Sequence, residues 1–247
     1  GNILNGESDL KFNNSTNQMS ASFSSLKLDG FKRPGKKSSE NVADEKFALL
    51  FETEFTVGDM SFKLQIMSVP IVVIVHGSQE VQAYATIFWD NSFAELNRSP
   101  FAVPDQVSWT KFSQALSQKF RFKDKVFRDL TSENLHCLAE KLFKEPFPNG
   151  VVPNDITVTW SAFCKENLPD RQFSFWEWFY AAMRLTNDYF PLLWEEGLVF
   201  GFISKKRVEE YLLECQMQGT FILRFSDSEL GKVQLLCSVD SQFVILI

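Results

Sequence analysis

Thr220-Phe221-Ile222-Leu223-Arg224-Phe225-Ser226-Asp227-Ser228-Glu229 sets an arginine inside an apolar, β-prone run and follows it with a Ser-Asp-Ser turn. A guanidinium among apolar neighbours is costly unless an anion meets it. Its planar fork fits phosphate bidentately. The turn adds the Ser226 and Ser228 hydroxyls and successive backbone N–H groups, a natural anion nest. Upstream, Ser204 can cap a helix that Lys205, Lys206 and Arg207 open, with Val208, Tyr211, Leu212 and Cys215 on one face and Gly219 at its end. Helix, strand with arginine, then serine-rich turn is the layout of a phosphotyrosine pocket. The competing reading is a structural pair between Arg224 and Asp227 or Glu229, and spacing alone does not choose between them.

The chain on either side divides into three patterns. Past the turn, Val233 to Ile247 is apolar and β-prone, with Asp240-Ser241 placed for a hairpin. Residues 107–195 read as helical. Trp109, Phe112, Leu116 and Phe120 fall at helical spacing, as do Leu135, Leu138, Ala139, Leu142 and Phe143 behind Thr131 or Ser132 as N-cap. Ser174-Phe175-Trp176-Glu177 is a capping box opening a further helix to about Asn187. Before residue 107 no helical period is found. Phe47 to Thr56, Phe62 to Ile66, Val69 to Val75 and Ala83 to Trp89 read as strands, with turns at Gly58-Asp59 and His76-Gly77-Ser78. That region is expected to be all-β, most simply a sandwich.

Composition narrows the function classes. The chain has 247 residues, 45% apolar and 23% charged, with 26 Phe and 6 Trp against 4 Tyr. These are globular proportions with ring area for more than one core. Net charge is −6, and stretches divided at Thr110 and Phe190 carry −4, +1 and −3. Nucleic acid would therefore have to be met by a local patch. Lys32-Arg33-Pro34-Gly35-Lys36-Lys37 is such a patch, as a DNA contact or an import signal, although a solvated loop is the simpler account of it alone. The opening residues carry no secretory leader, and no apolar run of ~18 residues is present to span a membrane. The four scattered cysteines read as reduced thiols of cytosol or nucleus. With two histidines and no C-x-x-C pair, no metal is expected. Without G-x-S-x-G, a phosphate-binding Gly-rich loop or H-E-x-x-H, and with scattered carboxylates, neither a catalytic site nor a cofactor is expected.

The residues around Arg224 closely resemble the phosphotyrosine-pocket strand of the signal transducer and activator of transcription (STAT) family. Gly201-Phe202-Ile203-Ser204-Lys205 resembles its first Src-homology-2 (SH2) helix. Trp160-Ser161, Phe163, Lys165-Glu166-Asn167-Leu168-Pro169 and Phe175-Trp176 with Trp178 resemble its linker domain. Pro100 to Asp105, Val72 to Gln79 and Gly1 to Asn5 resemble its DNA-binding domain and the exit from it. The likeness runs in family order from residue 1 to about 231.

The resemblance implies a multi-domain fold. Residues 1–106 would be the later part of an immunoglobulin-like, p53-like β-sandwich that binds DNA. Residues 107–195 would be an all-α linker, and residues 196–247 a truncated α+β SH2 domain. It implies a latent transcription factor of cytokine (JAK-STAT) signalling, cytoplasmic and nuclear, that dimerises through phosphotyrosine and clamps palindromic double-stranded DNA. Its other partners would be phosphotyrosine peptides of receptors. A phosphopeptide-binding module without DNA activity is the alternative. Carried over residue by residue, Arg224 is the phosphate-binding arginine, with Lys205, Ser226, Asp227 and Ser228 around it and Lys206 or Arg207 as substitutes for Lys205. His76, Glu45, Lys32, Lys36, Lys37 and Lys165 match DNA-facing or import positions, with Glu166 beside Lys165. Ala43 stands where members often carry Thr. After Gly231 the chain is expected to leave the family pattern, and no tyrosine follows Tyr211 to serve as phosphoacceptor.

Overall fold

The computed structural model describes residues 2–30, 42–121, 128–147, 150–215, 219–239 and 242–246. The chain divides into two units, Gly1–Asn41 and Val42–Ile247. The first is built of two short antiparallel ribbons. β1 (Asn2–Leu4) pairs with β4 (Lys27–Asp29), and β2 (Lys11–Asn13) with β3 (Gln18–Ser20). Lys32, Lys36 and Lys37 lie outside the described residues.

The second unit opens with a 3-10 turn at Val42–Asp44 and a long hairpin, β5 (Leu50–Val57) with β6 (Met60–Met67). Val57 pairs with Met60 across Gly58-Asp59, and Gly58 has φ +61, which only glycine adopts cheaply in a two-residue turn. The β-branched run from Val69 contributes less than a strand. Phe47 and Ile71 exchange both backbone hydrogen bonds, at 2.9 and 2.8 Å, as an isolated antiparallel bridge.

Ala83 to Trp89, expected as a strand, lies inside α1 (Glu80–Phe93). The pattern misleads because the helix is buried on several sides. Ala83, Thr86, Asp90 and Phe93 form one stripe, and Ala85, Phe88 and Trp89 are buried beside it. A short apolar run looks the same in a buried helix and a buried strand. His76-Gly77-Ser78, expected as a strand-to-strand turn, instead leads into α1. There the Gln79 side chain accepts hydrogen bonds from the N–H groups of Val75 and His76.

Residues 107–195 are largely helical, as apolar spacing predicts for α2 (Trp109–Phe120) and capping residues for α3 (Ser132–Phe143) and α5 (Phe175–Tyr189), with two short helices that were not read individually, α4 (Trp160–Cys164) and α6 (Pro191–Glu195). Thr131 is the N-cap of α3, and Ser174 closes a capping box with Glu177. A three-residue ribbon that the sequence reading did not include, β7 (Gln106–Ser108) with β8 (Thr157–Thr159), feeds α2 and α4. Last come α7 (Lys205–Cys215) and a three-stranded antiparallel sheet, β9 (Phe221–Phe225), β10 (Val233–Val239) and β11 (Gln242–Leu246), in the order β11-β10-β9. Asp240 and Ser241, between the last two strands, lie outside the described residues.

One aromatic core joins α1 and the linker to β9. Phe88, Trp89, Phe112, Phe163 and Trp176 pack together. The stack continues through Phe175 and Phe179 to Phe202, Trp194 and Phe225. Buried indoles need acceptors for their N–H groups. Trp89 donates to Pro104 O, Trp176 to Val81 O and Trp178 to Ser226 O, at 2.7–2.8 Å. Gly201 holds the seam. Its φ is +81, and a Cβ there would stand 2.5 Å from the Trp194 ring. A smaller core, Ile203, Val208, Leu212, Ile222 and Leu236, seats α7 on the sheet.

Candidate phosphate site and DNA-facing residues

Arg224 sits on β9 with 2% of its surface exposed. β9 alternates, so Arg224 shares a face with Ile222, under α7. Its Nε donates to Ile203 O at 2.8 Å, one Nη donates to the Gln234 amide oxygen at 2.8 Å, and the other is bonded to the Asp227 carboxylate. The structural pair is therefore the one present: a buried guanidinium meets a carboxylate from its own following turn.

The turn itself is organised around serine. Ser226 is 1% exposed, and its Oγ accepts from the N–H groups of Ser228 and Glu229 at 3.3 Å and lies 3.3 Å from the Ser228 hydroxyl. The linker fixes the turn from three sides. Trp178 of α5 donates to Ser226 O at 2.7 Å, Arg171 Nε donates to Asp227 O at 2.9 Å, and Lys141 of α3 places its Nζ 3.1 Å from Asp227 Oδ1. Sequence reasoning missed these three. Trp178 lies in an aromatic run that reads correctly as core, but where an indole N–H points is not written in a helical period. Below the turn, burial pushes the Cys137 thiol up to about 12, so it is an inert core group.

Of the expected phosphate ligands, Arg224, Ser226, Asp227 and Ser228 come together. Lys205 does not join them through any described contact, and its Nζ lies 3.7 Å from Glu209. Lys206 and Arg207 line a neighbouring cavity of about 630 Å³ between α3 and α7. Arg207 is tied there to Glu210, Tyr211 and Glu133. These hydrogen bonds, that to Glu210 foremost, raise its pKa further above the usual arginine range.

The DNA-facing candidates spread over one end of the second unit. The segment with Glu45 and the segment leading to His76 leave the antiparallel Phe47–Ile71 bridge in the same direction. His76 is exposed, and Glu45 is half-buried behind the Val42–Asp44 turn. Lys165 reaches back across the sequence to Asp44, the neighbour of Glu45, and its Nζ lies 5.6 Å from the Trp160 ring centroid. Glu166 turns instead to Lys144 at 3.0 Å, which holds its carboxyl below the usual range. Ala43 is fully buried, and its carbonyl accepts from Thr86 Oγ1 at 2.9 Å. A hydroxyl contact to DNA from position 43 is absent on both counts. Behind this surface, burial would raise the Asp90 pKa, but hydrogen bonds from Arg98 and Lys46 and their charges outweigh it and hold the carboxyl low.

Among the described residues no cluster of three or more metal-ligating side chains occurs, and no helix is long and apolar enough to cross a membrane. Three family descriptions match the chain in order. "STAT protein, DNA binding domain" matches residues 1–74, "Signal transducer and activator of transcription, linker domain" residues 96–179, and "SH2 domain" residues 199–244. The last takes in β10 and part of β11, past the point where the sequence pattern was expected to lapse. A Drosophila melanogaster protein, "Signal transducer and transcription activator", is 46% identical over 236 residues, covering 95% of this chain and 30% of the relative's length. With STAT DNA-binding, linker and SH2 segments in sequence, the chain belongs to the signal transducer and activator of transcription family.

Proposed function

We propose that this chain is the part of a phosphotyrosine-responsive transcription factor, and not of an enzyme, in which an SH2 pocket and a DNA-facing β-region are joined by one rigid linker. The observation that carries the reading is Arg224: a guanidinium buried in a strand, fully engaged, and followed by a serine turn that the linker holds. Phosphotyrosine peptides, from receptors or a second copy, are the ligands its fork suits. Double-stranded DNA is the partner of the His76, Glu45 and Lys165 end, with palindromic sites met by a dimer. Such a protein works in cytoplasm and nucleus.

The test has two arms. Calorimetry with a phosphotyrosyl peptide should give saturable binding that the unphosphorylated peptide lacks and that Arg224→Lys removes. Gel shift should give weak, salt-dependent binding by the monomer, since a single half-site contact lacks an avidity of ~10²–10⁴. Phosphopeptide binding with no salt-dependent DNA binding would leave the interaction-module reading in its place.

A further inference from the structure

We propose that Asp227 is an internal occupant of the Arg224 fork, a latch that an incoming phosphate must displace, and that Lys141 of the linker is the group that receives it. The inference rests on the phosphotyrosine reading of the pocket. It assigns Asp227 the role opposite to that of a phosphate ligand.

The geometry gives the reason. Arg224 has all three nitrogens bonded, and its charge is met by the Asp227 carboxylate. A phosphate monoester carries about −1.5 to −2 at neutral pH. It cannot share the fork with a second anion a few ångströms away without strong repulsion. Asp227 must therefore leave the fork when phosphate enters. It has somewhere to go. Its second oxygen already lies 3.1 Å from Lys141 Nζ. Both residues also line a cavity of about 370 Å³, with Lys144, Arg171 and Glu140 around it. The Asp227 side chain is 23% exposed against 2% for Arg224, while its Oδ1, the oxygen facing Lys141, is buried. Its backbone stays fixed through Arg171, and that of Ser226 through Trp178. The motion required is a side-chain rotation, with the turn left in place. Lys141 belongs to α3, so the linker sets how readily the fork opens.

A latch closed most of the time reduces apparent affinity by the fraction of time the fork is free. The probe is phenyl phosphate, titrated calorimetrically into the full chain and its variants. Asp227→Asn keeps the shape and removes the charge, and should tighten binding ~10-fold. Lys141→Gln should weaken wild-type binding several-fold and have no effect in the Asp227→Asn background. That non-additivity is the signature of action through Asp227.

Equal or weaker binding by Asp227→Asn, while Arg224→Lys still abolishes it, overturns the latch and leaves the pocket standing. Loss from Lys141→Gln in both backgrounds makes Lys141 a direct phosphate contact and overturns its receiving role. Binding that Arg224→Lys does not touch, or no binding by any form, removes the pocket reading and the latch with it. Should Asp227→Asn fail to fold, Lys141→Gln against the wild type still decides: unchanged affinity defeats the proposal.

Discussion

The β5–β6 ribbon and the linker core lie in the same unit and are both rich in apolar residues, yet they spend them differently. On the ribbon, Ile66, Met60 and Val57 stand 57–69% exposed, and the alternation that makes strands legible presents much of its apolar surface to solvent. In the linker, Phe112, Phe163, Trp176 and Phe179 are buried, and three of the neighbouring indoles also end on backbone carbonyls of other elements. The ribbon is held by its own ladder. The linker core is held by contacts that also fix where the Ser226 turn sits. Disturbing the ribbon should therefore cost local order, whereas disturbing the core should cost function at a distance.

The widest gap is expected between Trp178→Ala and Ile66→Ala. Emptying a buried aromatic costs ~3–5 kcal/mol, and Ser226 O is orphaned as well. An exposed ribbon residue should change stability by no more than ~0.5 kcal/mol. Urea denaturation reads both. Equal losses would mean that the ribbon packs against something in solution. Trp178→Phe sharpens the point, since it keeps most of the ring and drops the N–H. A loss of ~1–3 kcal/mol accompanied by weaker phosphate binding would show that the hydrogen bond to the turn matters beyond packing.

Next in size is the charge cluster around Asp90, beneath the end proposed to face DNA. Asp90 is 1% exposed, between Lys46 at 2.7 Å and Arg98 at 2.9 Å. Its folded carboxyl is held below the ordinary value of 3.8. The pairing therefore contributes fully above that value and is lost as pH falls through the lower, folded value. Asp90→Asn should flatten this acid limb of the stability curve. It should also cost ~3 kcal/mol at neutral pH, because two half-buried cations lose the charge of their buried partner. Unfolding curves between pH 2 and 7 check both, and an unchanged acid limb would place the titrating group elsewhere.

These contrasts also explain what could be read from the chain. Ser174 with Glu177, Thr131 and the Arg224 strand were legible because capping and a charge in an apolar run are local chemistry. The helix at Glu80–Phe93 was not, because Ala83 to Trp89 is apolar on nearly every side and burial erases the period that separates helix from strand. Asp227 was legible as one of two carboxylates that could pair with Arg224, but spacing alone chose neither between Asp227 and Glu229 nor between either and an external anion. Lys141, Arg171 and Trp178 are 49 to 86 residues from Asp227 in sequence. Only the packed core brings them to it.

A similarly small stability effect is expected at Lys165, where structure and proposed function pull apart. Its pair with Asp44 is about one-third exposed on both sides. Such pairs contribute ~0.2–1 kcal/mol and fade with salt. Lys165→Ala should therefore leave the folded unit nearly as stable as before. If Lys165 also meets a DNA phosphate, the same substitution should weaken binding about equally for every duplex sequence and lower the salt slope by about one. The two roles compete for one ammonium: DNA must draw it from Asp44, and Asp44→Asn should then strengthen DNA binding modestly where Lys165→Ala weakens it. Fluorescence titrations of both variants at several salt concentrations separate the cases. If both variants bind DNA as the wild type does, Lys165 is a structural tie to Asp44 and takes no part in any DNA contact.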